Sequence, residues 1–379
     1  MNNSFGLYIH IPFCISKCYY CDYNSVLWEP SLVKEYLAAL QEELKLLAAK
    51  YEHPRLKTIF IGGGTPSSLT GEQIYQLLLA VNKEFQVSTE LEVSLEANPD
   101  TVNSNKLAIL KEAGINRLSL GVQSFNNNYL QSLGRAHTRQ EAIDSYYLAR
   151  EIGFKNINLD LLFAVPGQSL ADWELTLKRA VQLRPEHLST YSLEIVPGTV
   201  FELLLEKGSL DLVSEQLDRQ LYERAIELFL AAGYEHYEIC SFARPNYSSE
   251  HNQLYWQGQP YLALGAGVHF FDGEVRGRNV NSLSSYLSYL EQGKLPLDKV
   301  EVLTMEDKIV AKMILGLNLR DGISLVEFAQ EFDKELTDLY SQEITKLKQL
   351  GLIKINDNRI ALSRQGLLMA NDVLAEFIL

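Results

Sequence analysis

The chain has 379 residues, 46% hydrophobic and 22% charged, enough for one large domain plus a smaller one with a substantial core. Its formal net charge of −14 argues against a broad phosphate-binding surface, because affinity for nucleic acid rests on Lys and Arg neutralising phosphates. The opening MNNSFGLYIHIPFC has no basic segment leading into a long apolar run, and no later stretch reaches about eighteen apolar residues without a charge, so neither secretion nor a membrane span is expected. Four cysteines, three of them clustered, then predict metal or cluster ligation in a reducing cytoplasm and not a disulfide framework.

Up to about residue 195, β-rich apolar runs alternate with amphipathic stretches. The first run, LYIHIP (7–12), leads straight into the cysteine segment HIPFCISKCYYCDY, and SLVKEYLAALQEELKLLAAK follows with the three- and four-residue spacing of a helix. TIFIGGG (58–64), LEVSLEA (91–97), NRLSLGVQ (116–123), NINLDLLFAVPG (156–167) and HLSTYSLEIVPG (187–198) read as five more strands. Helical patterns separate them, with Ser31 and Thr138 as predicted N-caps and Gly114 and Gly153 as predicted helix ends. Six βα units in succession predict a parallel sheet covered by helices, open or curled into a partial barrel. Cys14, Gly63 to Thr65, Glu96, Gln123 and Asp160 fall on or near the C-terminal ends of these strands, where a parallel α/β fold gathers its active residues.

Between 199 and 298 the periodicity loosens. A helical DLVSEQLDRQLYERAIELFLAAG precedes YEHYEICSFA and a polar, aromatic-rich segment, RPNYSSEHNQLYWQGQPYLALGAG, expected to be a loop. From 299 to 379, helical patterns come before two short strands joined at Asn356–Asp357–Asn358, an order that resembles a winged-helix module. Acidic residues outnumber basic ones there, so packing or docking is expected and nucleic-acid binding is not. A regulatory DNA-binding protein is accordingly the weakest of three functional readings. The expected division is 1–198, 199–298 and 299–379.

The spacing Cys14-x3-Cys18-x2-Cys21 offers three thiolates just after a strand. Three thiolates hold three irons of a [4Fe–4S] cube and leave the fourth open to another ligand. A structural Cys3His zinc site using His10 is the alternative, although zinc ligands usually arrive as two separated pairs and no second pair follows. GGGTP (62–66) lacks both the Lys-Ser/Thr of a P-loop and the GxGxxG of a dinucleotide fold, and by itself reads equally as a strand-to-helix turn.

CxxxCxxC after an N-terminal strand is the signature of radical S-adenosylmethionine (SAM) proteins. The fuller string YIHIPFCxxxCxYCD resembles the branch that holds oxygen-independent coproporphyrinogen III oxidase and the HemW-type heme chaperones, and the likeness spans essentially the whole chain. The resemblance implies a partial (βα)6 barrel with a C-terminal winged-helix-like α+β domain. It implies a [4Fe–4S] cluster on Cys14, Cys18 and Cys21, and SAM held by Tyr8, Gly63, Gly64, Thr65, Glu96, Gln123, Arg135 and Asp160. A carboxylate suits ribose hydroxyls or an ammonium, and Arg suits a carboxylate.

Within that branch the oxidase carries CxxxCxxCxC, whereas Tyr23 stands here at the fourth position, and only thirteen residues precede Cys14. Both departures speak against decarboxylation of coproporphyrinogen. HNQLYW (251–256) matches the HNxxYW heme motif of the chaperones, which implies heme contacts from His251, Asn252, Tyr255 and Trp256, with His251 a suitable axial ligand. Cys240 is either a second candidate ligand or a structural thiol. The resemblance therefore implies a cytoplasmic heme chaperone that delivers heme to acceptor hemoproteins, those of respiration being the expected clients, with the oxidase as the alternative. The family admits a homodimer, and membrane contact would run through a partner.

Overall fold

The structure, a computed structural model, describes residues 4–378. Six parallel strands follow in chain order: Ser4–Ile11, Arg55–Gly63, Glu92–Ala97, Arg117–Gln123, Asn156–Phe163 and His187–Ser192. Each pairs with the next, and helices Pro30–Lys50, Gly71–Glu84, Ser104–Glu112, Arg139–Ile152 and Leu170–Leu183 cross between them. This is the expected radical SAM-type α/β core.

Local chemistry explains the helix boundaries. Thr70, Thr138 and Ser169 each accept from the backbone three residues on, and Gln73, Glu141 and Asp172 reach back to close three capping boxes. Gly153 ends its helix in the left-handed region, at φ 98°. Ser31 departs from expectation: it lies inside the first turn, behind Pro30, and its hydroxyl donates to Glu29 at 2.6 Å.

Along each strand, side chains alternate between two environments. Leu7 and Ile9, Val93 and Leu95, and Leu118 and Leu120 belong to the main hydrophobic core. Their neighbours Tyr8, Glu96, Ser119, Asp160 and Tyr191 line one interior cavity of about 290 Å3. The first and sixth strands thus face each other across a polar interior, which requires the sheet to curl.

The segment expected to be loosely patterned extends this sheet at both edges. Ser241–Ala243 adds antiparallel to the sixth strand, and Tyr261–Leu264 adds parallel to the first, with Gly6 opposite Tyr261. Beyond it, His269–Phe271, Val275–Asn279 and Leu297–Val302 form an antiparallel meander. HNQLYW is not in a loop: it occupies a seven-residue helix, Glu250–Trp256, called here the motif helix, capped by Ser249. Ser249 caps a helix of seven residues, too short for periodicity to reveal.

After residue 303 come helices Met305–Gly316, Leu325–Phe332 and Ser341–Gln349, then the hairpin Ile353–Asn356 and Arg359–Leu362, completed by Ile323–Ser324. Asp357 and Asn358 both have positive φ, 48° and 61°, as a two-residue hairpin turn requires.

One buried carboxylate fastens the meander to the barrel. Glu43, on the first helix, accepts from Tyr286 Oη and from the amide of Gly265, at 2.6 and 2.8 Å, and from Asn279 Nδ2 at 2.6 Å. Removing it strands the Tyr286 hydroxyl and the Gly265 amide, and leaves Asn279 Nδ2 with Gly265 O alone. Glu43→Ala should lose about 3 kcal/mol of stability in urea unfolding, and an unchanged midpoint would refute this account of the junction.

Candidate functional site

The cysteine loop is held over the strand ends from several sides. Phe13 and Cys14 pair with Val26 and Leu27, and Trp28 N donates to Cys14 O at 2.9 Å. Tyr19 N donates to Leu133 O at 3.1 Å, and Phe201 N donates to Tyr19 O at 3.0 Å. Asn24 Nδ2 reaches Ala266 O and Asn281 O at 3.1 and 3.0 Å, which ties the loop to the start of the meander.

Beneath this loop lies a cavity of about 250 Å3 whose walls include all three clustered cysteines, Gly63 to Thr65, Glu96, Gln123, Arg135 and Asp160. The structure therefore brings together every residue assigned to cluster and SAM except Tyr8, which lines the neighbouring interior cavity and packs on Phe60. Thr65 Oγ1 donates to Cys14 Sγ at 3.6 Å and Arg135 Nη1 donates to Cys18 Sγ at 3.3 Å. Arg135 Nη2 also donates to Asn98 Oδ1 at 2.6 Å and to Gly121 O at 2.8 Å. Its Nε is buried and has no partner among the described residues.

Gly64 is where the loop and the second strand approach most closely. A Cβ there would sit 2.9 Å from Cys14 Sγ and 3.0 Å from Phe13 O. Gln123 adopts φ 63° just past a break in strand register, a conformation that turns its side chain towards this cavity. Burial, and then the charge of Asp160, push Glu96 up to about 8 despite its hydrogen bond from Gly63 N at 3.1 Å. Burial also raises Asp160, against bonds from Ser119 Oγ and Asn158 Nδ2 at 2.8 Å each.

These residues fit a cluster with SAM better than zinc. Both nitrogens of His10 are engaged: Nε2 donates to Asn24 O at 2.8 Å, and Nδ1 accepts from Tyr8 Oη at 3.2 Å. A fourth zinc ligand is thereby withheld. Burial raises Cys14 and holds Cys21 at about 11, so loading with iron must displace protons from the thiols.

The motif helix enters the barrel near the N-terminal ends of the strands. Glu92 accepts from Ser249 Oγ and from the amides of Glu250 and His251 at 3.4, 3.1 and 3.2 Å. His251 is 1% exposed; Nδ1 bonds Thr58 Oγ1 at 2.7 Å and Nε2 bonds Tyr255 Oη at 2.8 Å. The residue singled out as a suitable axial ligand is thus buried, with both nitrogens occupied. Asn252 lines the interior cavity, whereas Tyr255 and Trp256 also reach a separate groove of about 720 Å3 below the C-terminal helices. Cys240 is remote from this helix in its pairings, its carbonyl accepting from Thr190 N at 2.8 Å, and burial raises its thiol strongly.

Residues 8–180 match the Radical SAM superfamily, and residues 303–369 match the HemN C-terminal domain. Heme chaperone HemW of Bacillus subtilis (strain 168) is 41% identical over 98% of this chain and 98% of its own length. Heme chaperone HemW of Lactococcus lactis subsp. lactis (strain IL1403) is 34% identical over 98% and 97%. The chain belongs to the HemW heme chaperone family. Among solved structures, coproporphyrinogen III oxidase (HemN) from Escherichia coli superposes with a TM-score of 0.86 at 26% identity, covering 99% of this chain and 90% of that one.

Several site residues went unpredicted from the sequence of this HemW-family chain. Asn98, which joins Arg135 to Thr65, stands just past the strand Glu92–Ala97, at a strand end like the other site residues. Thr58, Glu92 and Arg117, which receive the motif helix, are polar residues at or near the starts of their strands, and only the alternation along those strands marks them.

Two outcomes follow from this geometry. Gly64→Ala should lower the iron bound after anaerobic reconstitution while leaving the circular dichroism spectrum intact; full iron content would show that the close approach to Cys14 is dispensable. Burial lowers the pKa of His251 from 6.5 to about 3, so between these values the unfolded chain binds more protons and stability falls with falling pH. His251→Gln should flatten that part of the curve in urea unfolding across pH, and an unchanged slope would show that the imidazole is not held neutral.

Proposed function

We propose that this protein is a heme chaperone that carries a [4Fe–4S] cluster and SAM and hands heme to acceptor hemoproteins, those of respiration among them. The observation that carries the reading is full-length likeness to heme chaperones combined with a motif helix whose Tyr255 and Trp256 open onto a cofactor-sized groove. Cys14, Cys18 and Cys21 would hold the cluster. Gly63, Gly64, Thr65, Glu96, Gln123, Arg135 and Asp160 would hold SAM, with Tyr8 supporting them from the next cavity.

When bound, cluster and SAM supply one-electron chemistry. The chain's own part is to position and shield them. Arg135 brings a cation to Cys18 Sγ, and its unpartnered Nε suits a carboxylate. Glu96 and Asp160 would offer acceptors to ribose hydroxyls or an ammonium.

The HemN likeness keeps coproporphyrinogen oxidation as the second reading. Tyr23, 59% exposed where that enzyme has its fourth cysteine, favours a chaperone without that activity. No described helix is long and apolar enough to cross a membrane. A cytoplasmic site of action is part of the proposal. Residues 1–198, 199–298 and 299–379 are proposed as the barrel, its motif-bearing extension and the C-terminal domain. A homodimer remains part of this proposal.

Anaerobic reconstitution should give about four irons and four sulfides per chain, lost in Cys14→Ala, with saturable heme binding at one per chain retained in that variant. Heme should then pass to an apo-hemoprotein without formation of protoporphyrinogen from added coproporphyrinogen. Absence of saturable heme binding, or turnover of coproporphyrinogen, would reverse the order of the two readings.

A further inference from the structure

We propose that the heme iron is ligated by His269, in the groove between the meander and the helix Met305–Gly316, with Lys308 meeting a propionate. The inference rests on the heme-binding reading above and deepens it, since the motif's own histidine is not the ligand in this assignment.

His251 has no free nitrogen, as the bonds to Thr58 and Tyr255 show. Ligation by His251 would require breaking a buried hydrogen bond and opening the barrel interior. The motif nevertheless reaches the groove, through Tyr255 and Trp256. His269 lines the same groove, is exposed, and neither ring nitrogen has a hydrogen-bond partner among the described residues. Burial by the groove wall, with Arg278 and Arg276 nearby, lowers its pKa, which keeps the imidazole neutral and able to donate its lone pair. Ligation forms one iron–nitrogen bond, breaks none in the protein and moves no electron between redox partners.

The groove matches the rest of the ligand. Its volume of about 720 Å3 lies within the ~300–1,000 Å3 typical of cofactor sites. Phe271 and Arg276 are cross-strand partners, as are His269 and Arg278, so the imidazole, an aromatic ring and two cations stand on one face of the meander. Opposite them, Lys308 and Lys312 project from one face of their helix with Ala311 and Leu315 between and beyond. Heme is a flat apolar plate with two carboxylates at one edge, and the groove offers an apolar slot with cations at its rim. Arg276 and Lys312 already have carboxylate partners, Glu301 at 2.7 Å and Glu331 at 2.8 Å. Lys308 has none among the described residues and is the cation available to a propionate. The indole N–H of Trp256 is also buried without an acceptor among the described residues.

The test is a heme titration of the full-length, anaerobically reconstituted protein, with wild type beside His269→Ala, His269→Gln, His251→Ala and Lys308→Gln. SAM binding and circular dichroism establish that each variant is folded. Both His269 variants should shift the Soret band and weaken heme binding about tenfold or more, and added imidazole should restore the wild-type spectrum to His269→Ala. His251→Ala should keep the wild-type axial signature in resonance Raman even where its affinity falls. Wild type should prefer heme over heme dimethyl ester, and Lys308→Gln should lose that preference. Wild-type spectra and affinity in both His269 variants would overturn the assignment while leaving the chaperone reading standing. Absence of saturable binding in wild type would overturn the chaperone reading itself, and the assignment with it.

Discussion

The carboxylate of Glu92 organises the half of the molecule that follows the barrel. A helix N-terminus brought into a closed interior exposes amide donors that water cannot reach, and Glu92 takes those of Glu250 and His251 together with the Ser249 hydroxyl. Arg117 stands 4.0 Å behind it, also buried, so the charge that anchors the helix is itself compensated. A buried pair of this kind adds little net stability but penalises any other register heavily, because displacement leaves a charge alone. Once the helix is seated, His251 falls opposite Thr58, and the missing Cβ of Gly6 leaves room for Leu254, whose Cδ1 would otherwise lie 2.7 Å away. The chain then emerges beside the first strand, and Tyr261–Leu264 pairs with it in parallel. The sheet edge, the meander and the groove all depend on that entry point.

The barrel core was legible because its two signals agree. Three- and four-residue apolar spacing marked the helices, and the short runs between them marked the strands, to within a few residues at each end. The strand-end residues were legible for a further reason: in a parallel sheet, position at a C-terminal end is already a location in space. Cys14, Gly64, Glu96, Gln123 and Asp160 needed only correct strand assignments to converge on one cavity, whereas Arg135, beyond the helix Asn127–Ser132, was assigned by the family resemblance alone.

What the sequence hid was short or depended on distant pairing. The motif helix has seven residues, fewer than the window over which helical periodicity becomes visible, and aromatic and polar neighbours gave it the composition of a loop. Glu92 and Arg117 read as polar interruptions of apolar strands, since alternation shows that a residue faces away from the helices without showing whether it meets solvent or a sealed interior. Three-residue strands such as His269–Phe271 are stabilised by partners that chain-local patterning does not see. The motif string drew attention to His251 because imidazole is a familiar iron ligand. The structure uses that imidazole as a double hydrogen-bond post and leaves the contact with the groove to the aromatic residues beside it.

The three cavities form a series, and their shared walls bear on how one chain would hold the proposed cofactors apart. Glu96 and Asp160 line both the strand-end cavity and the interior one, while Tyr8 and Tyr255 line both the interior cavity and the groove. Each tyrosine is fixed by a histidine, Tyr8 by His10 and Tyr255 by His251, so the partition consists of rings whose hydroxyls are already committed. A carrier must release heme unaltered, which requires the porphyrin to stay out of reach of one-electron chemistry at the cluster. With heme in the groove as proposed, a wall of two anchored tyrosines, with the whole interior cavity behind it, would provide that separation. The connection that does cross it is mechanical: Asn24, in the cysteine loop, accepts from His10 through its carbonyl and donates to Ala266 three residues before His269. Ordering of the cysteine loop around a cluster would therefore bear on the strand that carries the proposed iron ligand, through two hydrogen bonds.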